Sequence, residues 1–100
     1  MTAANIKFGK AEGNGKQDGY TEAPILCDGE IIGFLTSQFE RTDPCDWYST
    51  RSSRCVAVEA LMFDGKSHTM AVYNGYSKIA GVTSASARAE VKRWVRAQYR

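Results

Sequence analysis

Few residues in this chain have the types that do chemistry, and their spacing decides what each can do. His68 is the single histidine. A general base needs a nucleophile and an orienting acid beside it, and His68 falls mid-strand, opposite Leu61 in the register that a two-residue turn at Asp64-Gly65 would give. It reads as a surface or hydrogen-bonded strand histidine. The three cysteines, Cys27, Cys45 and Cys55, make an odd count without a C-x-x-C pair. In a reducing compartment that predicts three thiols, with a Cys45–Cys55 bridge open to an oxidised preparation. Three cysteines and His68 have zinc-ligand types, but spacings of 18, 10 and 13 lack the close pairs that zinc sites use. The glycine-rich run Gly9–Gly19 is no phosphate loop, since Lys16 is followed by Gln17 rather than Ser or Thr. The carboxylates are scattered through loops and turns, with no pair set for hydrolysis. The expectation is a protein with no catalytic residues, no metal and no cofactor, and so not an enzyme.

Charge and aromatic side chains are better placed for binding than for catalysis. Residues 1–50 hold eight acids against four bases, a net of −4, whereas residues 51–100 hold three against nine, a net of +6. A small protein divided in this way can meet charged partners of either sign. Arg88, Lys92 and Arg96 recur every four residues, with Arg93 and Arg100 adjoining. Like charges at that spacing oppose a helix by about 0.2–0.5 kcal/mol per pair. The row therefore reads either as a solvated face helped by Glu90 or as a patch for an acidic protein surface or a phosphate backbone. Trp47, Tyr48 and Arg51 lie in the polar segment 41–54, and Trp, Tyr and Arg are the types that anchor interfaces. Packing of one ring under the segment is the competing reading. Glu22, Asp28, Glu30, Glu40, Asp43 and Asp46 are candidates for an acidic face that would imitate phosphate toward a basic groove.

The elements that must position these residues are those of one α+β domain spanning residues 1–100, whose length suits a single modest core. Residues 4–8 predict a short first strand. Asp28-Gly29 and Asp64-Gly65 each sit between β-rich flanks, as type I′ hairpin turns do. In the first hairpin, Leu26 would pair with Ile31, and Ile25, Ile32, Ala23 and Phe34 would share the core face. Pro24 has no ladder donor, so an edge or irregular position is expected there. In the second, Met62/Ser67, Ala60/Thr69, Val58/Ala71 and Val56/Tyr73 would share one face, and Leu61/His68, Glu59/Met70 and Ala57/Val72 the other. Both faces are partly apolar, as in a sheet covered on both sides or one that offers a side to a partner. Residues 76–82 predict another short strand. Ser84–Arg100, without Gly or Pro, predicts a helix capped by Thr83 or Ser84, with Ala87, Val91, Trp94, Val95 and Gln98 as its apolar stripe. The expected fold is an antiparallel sheet of about five strands with one C-terminal helix packed on it.

No apolar run approaches the roughly 18 residues of a membrane helix, and the N-terminus lacks the charged leader and apolar core of a secretory signal. The expectation is a cytoplasmic protein. In build, with two Asp-Gly hairpins, a Trp/Tyr-bearing polar segment, a short basic helix and no catalytic set, the chain resembles the small accessory proteins of phages and mobile elements. Among these it resembles most the anti-CRISPR inhibitors, compact α+β domains that block a nuclease complex by binding its protein subunits. The resemblance implies a protein partner, a CRISPR-Cas effector subunit, inside a host cell. Its net charge of +2 departs from the strongly acidic DNA mimics of that group. The second reading is a nucleic-acid-binding regulator that uses the basic helix.

Overall fold

The computed structural model describes residues 5–13, 19–41, 53–75 and 77–99. Five strands run antiparallel, each beside its neighbour in sequence: β1 (Ile6–Phe8), β2 (Tyr20–Cys27), β3 (Glu30–Arg41), β4 (Ser53–Met62) and β5 (Ser67–Ala71). One helix, α1 (Ser84–Gln98), packs on one side of this sheet, over β4 and β5. This is the α+β fold expected from the sequence.

The turn between β2 and β3 has φ of 51° at Asp28 and 87° at Gly29. Two successive positive values are what a type I′ turn requires, and Leu26 pairs with Ile31 as that turn dictates. The register then shifts. Ile25 pairs with Gly33, Pro24 with Phe34 and Ala23 with Leu35, leaving Ile32 as the extra residue of a bulge. Phe34 therefore does not share the core face with Ile25 and Ala23: Leu35 takes that place, only 5% exposed. Pro24 itself, expected at an edge or irregular position, lies in β2, an interior strand between β1 and β3, and pairs in register with Phe34; the bulge falls between Ile25 and Leu26. Gly33 also faces the core, where a Cβ would lie 2.6 Å from the Leu61 carbonyl oxygen and 2.9 Å from Met62 Cα. Only glycine allows β3 and β4 to approach so closely there.

Asp64-Gly65 builds a different turn. The Gly65 amide donates to the Met62 carbonyl at 3.0 Å and the Met62 amide to the Lys66 carbonyl at 2.8 Å. The loop is thus the three residues Phe63-Asp64-Gly65, with Gly65 at φ 94°, a type I turn followed by a left-handed residue. The added residue moves the register by one: Ala60 pairs with His68 and Val58 with Met70, not with Thr69 and Ala71. His68 and Met70 consequently share the helix side with Val58, Ala60 and Met62. A second bulge separates the Gln38–Ala57 and Phe39–Cys55 pairs.

The last arm of the second hairpin does not run on to Asn74. After Ala71 the Val72 amide turns to the Val56 carbonyl at 2.8 Å, and β6 (Tyr73–Asn74) pairs with β7 (Ser77–Lys78) in a separate small sheet. The strand expected over 76–82 is only these two residues of β7; Tyr76 lies outside the described residues.

At the helix start the Thr83 hydroxyl accepts from the Ser86 amide at 3.0 Å, and the Ser86 hydroxyl accepts from the Thr83 amide at 2.8 Å. This reciprocal cap satisfies two donors that the first turn leaves without helical partners. Ala87, Val91 and Val95 are fully buried. Trp94 is half-buried at the margin, and Gln98, expected in the stripe, is exposed. The core lies between these helical side chains and Ala23, Ile25, Leu35, Val58, Ala60, Met62 and Val72.

Candidate functional site

Among the described residues two surfaces stand out. The first is the side of the sheet opposite the helix. Strand alternation places Pro24, Phe34, Leu61 and Ser67 in one row across β2–β5, and Glu22, Thr36, Glu59 and Thr69 in the next. Exposed apolar side chains stand on and beside this row: Leu61 is 54% exposed, and nearby Phe63 and Ile31 are 66% and 45% exposed, while Phe34 is half-buried. The Phe34 and Phe63 rings meet at 5.7 Å with planes tilted by 59°, close to the edge-to-face arrangement aromatic pairs prefer. Acids adjoin this patch. Glu22 and Glu59 stand in the neighbouring row, where Glu59 accepts a hydrogen bond from the Thr69 hydroxyl at 3.0 Å, and Glu30 and Asp64 follow at the turn end.

The second surface is a cleft of about 400 Å³ on the helix side, between α1 and β1–β3. Phe8, Ala23, Leu35 and Phe39 form its apolar walls, Thr21 and Ser37 add hydroxyls, and Arg88 and Lys92 stand on its helical lip. Lys92 Nζ and Arg96 Cζ each lie 5.1 Å from the centre of the Phe8 ring, which holds both cations toward the cleft. Among the described residues, ion pairs join Arg54 to Glu40, Lys66 to Asp64 and Arg93 to Glu90. None of these engages Arg88, Lys92 or Arg96.

The expected site residues fall as follows. Arg88, Lys92 and Arg96 share one helical face beside Phe8. Trp47, Tyr48, Arg51, Asp43 and Asp46 lie outside the described residues, as does Cys45. Glu22 is on the open sheet face and Asp28 and Glu30 are at the β2–β3 turn. Glu40 lies at the far end of β3 beside Arg54, whose guanidinium stacks 4.1 Å over the Tyr73 ring. The four described acids are therefore spread along the hairpin. Cys27 pairs across to Glu30 and Cys55 to Phe39, which separates them by roughly 30 Å along β3, so the zinc-type set is not gathered. Burial pushes the Cys55 thiol pKa up, and the charge of Arg88 partly offsets this.

Phe8, Phe34, Leu61 and Phe63 are candidate site residues that spacing did not single out. The available signal was that both faces of the second hairpin were apolar. Comparison of the chain with known protein families, with curated proteins and with solved structures finds no match.

Proposed function

We propose that this protein is a non-enzymatic inhibitor that binds a protein subunit of a host complex in the cytoplasm, an anti-CRISPR protein acting on a CRISPR-Cas effector. The observation that carries the reading is the open sheet face, where exposed Leu61, Phe63 and Ile31, with half-buried Phe34, form an apolar patch beside Glu22 and Glu59 of the neighbouring row. Exposed apolar patches with polar rims mark interaction surfaces. Aromatic anchors at the centre with charge at the rim are the usual anatomy of a protein interface. The acidic rim selects a partner that is basic around an apolar centre, and effector complexes are basic where they hold the guide–target duplex.

The nucleic-acid-binding regulator is favoured by one observation, the row Arg88, Lys92 and Arg96 on a face that holds no acid partner among the described residues. Two assays separate the readings. In the first, purified effector complexes of several types cleave target DNA with and without the protein; stoichiometric loss of cleavage by one type is expected. In the second, bare DNA and RNA are titrated across salt. Steep salt-dependent binding with no effect on any effector would replace the inhibitor reading with the regulator.

A further inference from the structure

We infer that the cleft between α1 and β1–β3 binds a single-chain amphiphilic anion, an alkyl or acyl chain ending in a carboxylate or phosphate. This site lies on the opposite side of the sheet from the proposed protein-binding face and does not depend on it. The helix sits mainly over β4 and β5; on the helix side of β2 and β3, Ala23, Leu35 and Ser37 are only 5–6% exposed, so the more accessible part of the cleft is its rim, at Phe8, Ala11, Thr21 and Phe39. The cleft's 400 Å³ falls in the lower part of the range of about 300–1,000 Å³ that small-molecule pockets occupy, which suits one chain rather than two.

The walls decide the body of the ligand. Phe8, Ala23, Leu35 and Phe39 present no side-chain donors or acceptors; among the described lining residues the Thr21 and Ser37 hydroxyls and the Gly9 backbone interrupt them. A nucleobase would bring several amide-like groups against this surface and leave most unpaired, at a large desolvation cost. An alkyl chain brings none. The lip decides the head group. Arg88 and Lys92 are one helical turn apart, with Cβ atoms about 5–6 Å from each other, a separation that one carboxylate or phosphate can bridge with charge-assisted hydrogen bonds. Cations stacked on Phe8 place positive charge where the apolar wall ends.

The test is an amide-resolved NMR titration of the full chain with decanoate and decyl phosphate, both below their micelle concentrations, and with decanol as the uncharged probe. Flotation with phosphatidylglycerol-containing vesicles forms a separate arm. Shifts centred on Phe8, Ala23, Leu35 and Ser37 are expected, with decanoate at least tenfold tighter than decanol. The double variant Arg88→Gln, Lys92→Gln should remove that preference, and Ala11→Trp, at the exposed rim, should weaken both ligands. If the double variant fails to fold, Ala11→Trp decides: unchanged binding overturns the site. Equal affinity for decanol, no shifts up to the solubility limit, or shifts centred on Leu61 and Phe63 also overturn it. Vesicle binding without decanoate binding would assign the cations to a membrane surface instead.

Discussion

The indole of Trp94 lies flat against the imidazole of His68, with ring centroids 5.2 Å apart and planes 13° from parallel. Trp94 belongs to the helix and His68 to the edge strand β5, so this stack ties the helix to the margin of the sheet. Replacing Trp94 with Ala should cost about 2–3 kcal/mol, short of the ~3–5 kcal/mol of a fully buried aromatic because the ring is half-buried. A double-mutant cycle with His68→Ala, followed by urea denaturation, should show a coupling of about 0.5–1.5 kcal/mol. Coupling near zero would mean that the rings touch without holding the helix.

Gly33 tests the close approach of β3 and β4. A methyl group there meets backbone atoms of Leu61 and Met62, which cannot swing aside as a side-chain tip would. Gly33→Ala should therefore destabilise the fold by about 2–3 kcal/mol, within the range for overpacked cores. A melting temperature equal to wild type would show that the strands separate freely at this point.

The turn end of the sheet carries a pH-dependent contact. Tyr99 Oη donates to Asp64 Oδ2 at 2.8 Å, and burial, then this hydrogen bond and the Asp64 charge, push the Tyr99 pKa from 10.0 up to about 12. The Lys66 amide and then the Tyr99 hydroxyl hold the Asp64 carboxyl below its ordinary value of 3.8. The folded state favours neutral Tyr99, so that contribution is complete below pH 10 and fades as pH rises toward about 12. It favours ionised Asp64, whose contribution is present above pH 3.8 and fades as pH falls through its lowered value. Tyr99→Phe should flatten the alkaline limb of stability against pH, and the wild-type-minus-variant phenolate absorbance should rise near pH 12. An alkaline limb that stays as steep in the variant would exclude Tyr99 as its source.

Exposure of the patch separates binding from folding. Leu61→Ser removes a side chain that is more than half exposed and should change stability by about 0.5 kcal/mol or less, while Phe63→Ser, which also loses the ring contact with Phe34, should cost about 0.5–1.5 kcal/mol. Loss of either anchor should weaken the partner complex by about 2 kcal/mol or more, roughly thirtyfold. Calorimetric titration against an effector that the cleavage assay identifies as the partner measures this. Full affinity in both variants would move the interface off the sheet.

Much of this architecture was legible from local chemistry. Thr83 with Ser86, the spacing of Ala87, Val91 and Val95, and Asp28-Gly29 all report short-range geometry that the chain carries in adjacent residues. The registers were less so. Asp64-Gly65 has the same letters as Asp28-Gly29, yet its glycine closes a three-residue loop, and one residue of difference exchanges the strand's faces. The bulge at Ile32 does the same to Phe34 and Leu35. In strands with one polar face such a slip would bury charge and reveal itself. Here Phe34, Leu35, Leu61 and Met62 make either choice apolar, so the pattern could not arbitrate. The basic helical row was visible in sequence, but its relation to Phe8 needed β1 brought beside the helix in space.

The order β1-β2-β3-β4-β5 bears on how the molecule is made. Each strand meets a partner already present or next to emerge, and hairpins of this kind close in about 1–10 μs, far faster than translation at roughly 5–20 residues per second. The helix follows every strand in the chain. Val58, Ala60 and Met62 therefore gain their helix-side cover only once α1, the last described element, has been made. The order of synthesis, with the helix after the described strands, thus sets when this core can close.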